Sequence, residues 1–223
     1  MDKKSRRDID SRGEKALGLF LDKYFYLPML QRGEAESFTR IYDRKSQLDG
    51  IDLKLLIGDK EFKVDEKGQL YSINCPKNTF ALEIDYISSE TNEPVSGWYL
   101  SKDNMTDMYL FIWIDKAKEN RIERLVANDF EELSIVMIEK KTLKNYLQAK
   151  KLSTQGLSAI AREMRKEGYK RKTASDGMHF VLSDVNEYVE APVNLVIPRK
   201  ILEDISFRVY KVSKKEIEMI RKN

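Results

Sequence analysis

Residues 108–114 read MYLFIWI, seven consecutive apolar side chains. The run is far too short to cross a bilayer, and it is apolar at both odd and even positions. That combination describes a strand covered on both faces, which needs sheet neighbours on either side and packed layers above and below. The sequence around it supplies further strand candidates: IDLKLLI (51–57), EFKVDEK (61–67), TFALEIDYI (79–87), the short GWYL (97–100) and ELSIVMI (132–138).

Helical spacing appears at both ends of this series. In SRGEKALGLFLDKYF (11–25), Leu17, Phe20, Leu21, Tyr24 and Phe25 form one apolar face, and Ser11 with Glu14 fits a capping box at the first turn. FTRIYDRKSQ (38–47) is a polar connection. After the strands come KKTLKNYLQAKK (140–151) and GLSAIAREMRKEG (156–168). In the latter, Leu157, Ile160, Ala161 and Met164 make a stripe and Gly168 closes the end. The tail returns to MHFVL, VNLVI, RKILEDI and FRVYKV before a final short helix. The expectation is an α/β fold in two parts: a core over residues 1–139 and a basic helical and strand region over 140–223, packed on the same domain.

Composition narrows the function. Hydrophobic residues make up 41% of the 223-residue chain, enough for a core, and the 35% that are charged alternate in sign. No apolar stretch suits a membrane span, and the charged opening MDKKSRRDID is followed by no apolar signal core. Cys75 is the single cysteine, so no internal disulfide forms and a reducing cytoplasm is the expected compartment. The net charge of +3 is uneven. Residues 140–172 hold eleven Lys and Arg against Glu163 and Glu167, so this segment carries +9 and the remainder −6. A basic face of this kind suits a polyanion; Arg165, Lys166, Lys170, Arg171 and Lys172 are the candidate phosphate contacts.

The acids of the 51–67 hairpin need a separate explanation. If Gly58-Asp59 is a two-residue turn, Asp52 lies directly across from Asp65, on the face that Lys67 shares. A three-residue turn puts Asp52 opposite Glu66 instead. Facing carboxylates destabilise a bare sheet, and a divalent cation removes that penalty, because hard oxygen ligands suit Mg²⁺. Lys67 would orient water or offset developing charge. Gln69 continues the same face, and Glu83, a carboxylate inside an apolar strand, needs a partner and is a further candidate ligand. Asp49 reads as a turn residue. Asp85 shares a face with Glu83. Glu14 is explained by its cap. Trp98, Tyr99, Tyr109 and Trp113 read as core. The only histidine, His179, and the lone Cys75 offer neither a nucleophile pair nor a zinc spacing, and no phosphate-binding glycine loop occurs.

The segment GID, turn, VDEKGQ resembles the PD-(D/E)XK nuclease superfamily, in which one acid precedes a hairpin turn and a second acid and a lysine follow it. Those positions fall on Asp52, Asp65 and Lys67. The order helix, GID, turn, VDEKGQ, FALEI is also similar to that family's helix and three strands, over about residues 11–115. Gly50-Ile51 stand where the motif carries a proline. The resemblance implies a restriction-endonuclease-like mixed β-sheet flanked by helices, with a basic helical C-terminal part. It also implies Mg²⁺ (or Mn²⁺) held by Asp52 and Asp65, hydrolysis of DNA phosphodiester bonds, and a homodimer of the kind many members form. In some relatives an acid of the first helix reaches the site, the position of Glu14. The alternative is a nucleic-acid-binding protein that keeps the fold without cleaving.

Overall fold

The computed structural model describes residues 7–43, 45–46, 49–183 and 190–222, with side chains from residue 10 onward. The opening MDKKSR and parts of FTRIYDRKSQ lie outside them. In chain order the elements begin with α1 (Arg7–Leu21), a π-helical turn (Asp22–Tyr26), α2 (Leu27–Gln31), β1 (Ser37–Arg40), β2 (Leu53–Ile57), β3 (Lys60–Gly68), β4 (Thr79–Ile87), β5 (Pro94–Ser96), β6 (Met108–Ala117) and β7 (Phe130–Glu139). There follow α3 (Lys140–Ala149), α4 (Thr154–Glu167), β8 (Arg171–Thr173), β9 (His179–Leu182), β10 (Val193–Pro198), α5 (Arg199–Asp204), β11 (Arg208–Ser213) and β12 (Ile217–Lys222).

The chain forms two compact units. One contains residues 7–77, 105–140 and 203–222, the other residues 78–104 and 141–202. One crossing between them falls after Lys140, next to the boundary drawn from composition. The excursion of 78–104 and the return of 203–222 carry no compositional mark.

The first unit is a mixed seven-stranded sheet in the order β1-β2-β3-β6-β7-β11-β12. All neighbours are antiparallel except β3 and β6, which run parallel. The MYLFIWI run is the middle strand of the seven, and each of its side chains is fully buried. Leu110, Ile112 and Ile114 join Leu17, Phe20, Leu21, Phe25 and Met29 of the helical segment in one core. Tyr109, Phe111 and Trp113 take the other face, and the Trp113 indole donates to the Lys77 carbonyl at 2.8 Å.

The π-helical turn has a local cause. Pro28 has no N–H to return to the carbonyl four residues back, and Leu27 N–H bonds instead to Asp22 O, five residues back. At the start of α1 the helix is already formed at Arg7, so Ser11 sits inside it and the capping box is not made. Glu14 is thereby released from that role.

The second unit is an antiparallel five-stranded sheet, β5-β4-β10-β9-β8, with α3 and α4. TFALEIDYI is therefore not the third strand beside the hairpin, as the resemblance had it. Its alternating pattern fixes which residues face inward but not which sheet receives it. GWYL is a turn rather than a strand, RKILEDI is the short helix α5, and the expected terminal helix is β12. At the end of the chain, β12 completes the ladder of β11 with Ile217 buried against the core.

Two glycines separate a rigid from a yielding contact. A Cβ on Gly97 would stand 2.5 Å from the Glu83 carbonyl oxygen, whereas one on Gly68 would meet the Leu17 methyl tip at 2.6 Å. Backbone cannot move aside as a side chain can. Gly97→Ala should therefore cost about 3 kcal/mol and Gly68→Ala about 1 kcal/mol, measured by urea unfolding of each variant.

Candidate active site

The hairpin register settles the first question about the site. Ile57 pairs with Lys60 and Leu53 with Val64, so the loop is the two residues Gly58-Asp59. One residue beyond the paired stretch, Asp52 N–H donates to the Val64 carbonyl at 2.9 Å, and the Asp52 carboxyl lies beside that of Asp65. Of the two loop residues only Gly58 has positive φ, 59°, as the first central position of a tight type II′ hairpin turn favours. β2 begins after Asp52, and there the ladder changes character. The Asp52 carbonyl accepts from Ile41 N–H at 2.9 Å, and its side chain takes over as acceptor, Oδ2 receiving Glu66 N–H at 2.8 Å.

Asp65 is buried to 1% exposure. Its Oδ1 lies 2.7 Å from the Lys67 ammonium, while its Oδ2 is buried with no hydrogen-bond partner. Burial, and then the charge of Asp65, push the Asp52 carboxyl from its ordinary 3.8 up to about 6, against the opposing pull of Lys67 and the Glu66 N–H. Burial would lower Lys67, but the charges of Asp65 and Asp52 reverse this and hold the amine protonated.

Glu66 projects to the other side of β3. Tyr26 donates to Glu66 Oε1 at 2.7 Å, and Arg40 reaches both oxygens, Nη1 to Oε2 at 2.8 Å and Nη2 to Oε1 at 3.0 Å. The rest of the Arg40 fork holds Asp22, through Nε at 2.9 Å and Nη2 at 2.7 Å, and the Gly18 carbonyl. The π-helical turn carries both Asp22 and Tyr26, so this clamp ties helix to strand. Sequence reasoning missed Arg40, Asp22 and Tyr26 as supports; Pro28 was the one local signal of an altered helix there.

A cavity of about 480 Å³ opens over these groups, lined by Ser11, Glu14, Arg40, Asp52, Asp65 and Lys67 together with the exposed Tyr42. Glu14 keeps solvent contact at its edge. Crowding by protein raises its pKa, Lys67 opposes, and Asp52, Asp10 and Glu66 add to the rise. A slightly larger cavity of about 550 Å³ lies at the far end of β6, β7 and β11. Its charges alternate and pair, as in Lys116 with Glu131 at 3.1 Å, which describes a solvated face rather than convergent chemistry.

The remaining sequence candidates are placed as follows. Gln69 does not line the site cavity, and its side-chain oxygen accepts from Lys77 N–H at 3.1 Å. Glu83 stands on β4 in the five-stranded sheet, apart from the sheet that carries Asp52, Asp65 and Lys67; its carboxylate accepts from Trp98 N–H at 3.4 Å. That contact answers the need for a partner without a metal. Asp49 is in a turn as expected, and Tyr99, Tyr109 and Trp113 are buried. In the basic segment, Arg165 is committed to Asp85, Nη2 to Oδ1 at 2.5 Å, and to the Ala191 carbonyl at 2.9 Å. Lys172 is held by Glu163 at 2.6 Å. Lys166, Lys170 and Arg171 are exposed.

The donor set suits a hard divalent ion. Asp52 offers one oxygen beyond the N–H bond, and Asp65 offers a buried oxygen for which the described residues supply no N–H donor. Two carboxylates completed by water are a common Mg²⁺ arrangement. Among the described residues no three Asp, Glu, His or Cys side chains gather into a cage.

The raised Asp52 carboxyl has a consequence for stability. A folded-state pKa above the unfolded value contributes fully below pH 3.8, and that contribution is lost as pH rises through about 6. The difference corresponds to roughly 3 kcal/mol. Asp52→Asn keeps the acceptor for Glu66 N–H but cannot ionise. Without divalent ions it should match wild type near pH 4 and exceed it by about 2–3 kcal/mol at pH 8, read by urea unfolding at the two pH values. No protein-family model, no curated protein and no solved structure matches the chain, so the reading of this site rests on its own geometry.

Proposed function

We propose that the protein is a Mg²⁺-dependent nuclease that hydrolyses DNA phosphodiester bonds. The observation that carries this reading is the meeting of Asp52 and Asp65 across the hairpin, with Lys67 on one oxygen of Asp65 and the other oxygen buried and unsatisfied. Asp52 and Asp65 would hold the ion. When bound, it lowers the pKa of water and offsets charge growing on a phosphoryl oxygen.

The chain's own groups supply the rest. Lys67 stays protonated beside Asp65 and stands in the cavity wall, where an ammonium stabilises negative charge developing on the phosphate or fixes the attacking water by donating to it. Glu66 contributes through its main chain, since its N–H holds Asp52 in place. Glu14 adds a carboxylate of raised pKa at the rim, suited to exchanging a proton with solvent. In the reaction a water oxygen bonds to phosphorus and gives up a proton, one P–O ester bond breaks, and the departing oxygen takes up a proton.

Asp65→Asn should abolish cleavage of DNA in Mg²⁺ while leaving binding in EDTA intact. Lys67→Ala should lower the cleavage rate by about 100-fold or more. Both are measured with labelled single- and double-stranded DNA. If wild-type protein with Mg²⁺ or Mn²⁺ leaves every DNA form intact yet binds it, the non-cleaving alternative replaces this proposal.

A further inference from the structure

The second unit contains a helix pair that the carboxylate site does not use. α3 ends at Ala149, and the chain turns through residues 150–153 before α4 begins. Lys151 adopts the left-handed conformation there, φ 63°, and Leu152 N–H returns to the Leu147 carbonyl at 2.9 Å. Ser153 caps α4, its hydroxyl accepting from Gly156 N–H at 3.2 Å. Leu143 and Leu147 of α3, Leu152 of the turn, and Leu157, Ala161 and Met164 of α4 are buried. Two helices joined by a four-residue turn with a left-handed residue and a capped second helix have the connectivity of a helix-turn-helix.

Three ion pairs fix this pair in its surroundings. Arg165 binds Asp85 of β4, Lys172 of β8 binds Glu163 of α4 at 2.6 Å, and Lys150 binds Asp176 at 2.6 Å. Asp176 lies in the turn between β8 and β9 and also accepts from Tyr146 of α3 at 3.1 Å. The β8–β9 hairpin is thus held against both helices, as a wing would be.

The opposite face of α4 is solvent. Gln155, Ala159, Arg162 and Lys166 recur at i, i+4, i+7 and i+11 and are all exposed. They form one stripe on the side away from the buried Leu157, Ala161 and Met164. Lys144 of α3, Lys151 of the turn, Lys170 of the α4–β8 connection and Arg171 of β8 are also exposed. The side-chain types match what base edges offer: glutamine pairs with adenine N6 and N7, arginine with guanine O6 and N7, and alanine contacts the thymine methyl. Cations on the adjoining hairpin suit the phosphate backbone.

We propose that α3, the 150–153 turn and α4 form a helix-turn-helix that lays α4 in the major groove of duplex DNA, with Gln155, Ala159 and Arg162 at base edges and Lys166 on a phosphate. The unit would therefore read sequence rather than only grip a polyanion. This inference stands whether or not the carboxylate site cleaves.

The test uses the full-length protein in EDTA, where no divalent ion is available, with a pool of randomised DNA duplexes whose bound fraction is sequenced. A recurrent motif should emerge. Gln155→Ala and Arg162→Ala should each weaken binding of that motif by roughly 5- to 150-fold and relax preference at one base position, with helical circular dichroism unchanged. Lys166→Ala should weaken motif and random duplex alike, lowering the slope of log affinity against log salt by about one. A bound pool without any motif, folded Gln155→Ala and Arg162→Ala variants indistinguishable from wild type, or retention of RNA or acidic protein in preference to duplex DNA would overturn the proposal. Cleavage plays no part in these readouts, so this inference and the nuclease proposal fail separately.

Discussion

The pairing of β2 with β3 is the constraint on which the site depends. Side chains alternate faces along a strand, so a one-residue slip would exchange Asp65 for Glu66 opposite Asp52 and would carry Lys67 to the wrong side. The two-residue loop prevents the slip, and Gly58 makes that loop affordable at φ 59°. The parallel neighbour β6 then sets Asp65 beside Tyr109 and Lys67 beside Phe111, rings that exclude water and strengthen the charges between them. One turn of tight geometry and the buried run 108–114 of β6 thus decide which groups meet.

The charge balance around the cavity follows from that arrangement. Asp22, Asp52, Asp65 and Glu66 supply four carboxylates, and Arg40 and Lys67 supply two cations, all of them largely withdrawn from water. Arg40 neutralises one of Asp22 and Glu66, and Lys67 one of Asp52 and Asp65. The residual negative charge must be met by protonation or by a further cation. The elevated Asp52 carboxyl is the first response, and a divalent ion between Asp52 and Asp65 would be the second. Asp65 Oδ2, at 1% exposure and with no donor among the described residues, is the acceptor such a cation would meet.

Much of this was legible in the residues themselves. MYLFIWI identified the central strand because burial on both faces leaves no polar position. The Gly58-Asp59 pair offered the two-residue loop but left a three-residue loop open, and only the pairing of Ile57 with Lys60 decides between them. The start of α1 was misread because Ser11 and Glu14 match a cap by spacing, and nothing in a local pattern reports that a helix already continues upstream. Glu83 was assigned to the site because an acid in an apolar strand demands a partner; the partner proved to be the backbone N–H of Trp98, fifteen residues on in the turn after β5. The helix pair after Lys140 was visible as two amphipathic segments, yet its turn depends on a left-handed lysine, a conformation that the sequence does not advertise.

Arg40 shows why the supports of a site escape sequence reading. Its partners Asp22 and Glu66 lie 18 and 26 positions away, on a helical turn and a strand. Every arm of its guanidinium is occupied: Nε by Asp22, Nη1 by Glu66, and Nη2 by Asp22, Glu66 and the Gly18 carbonyl. An arginine so used has no donor geometry left to fork onto a phosphate, although it lines the cavity. Its effect passes through Glu66 instead. Arg40 and Tyr26 hold the side chain of the same residue whose main-chain N–H, set by the β3–β6 ladder, holds Asp52. A buried pair of this kind adds little net stability once its desolvation is counted, but removing one partner strands the other. The clamp is therefore better understood as the device that keeps the two aspartates facing each other across the strand end than as a source of stability for the sheet.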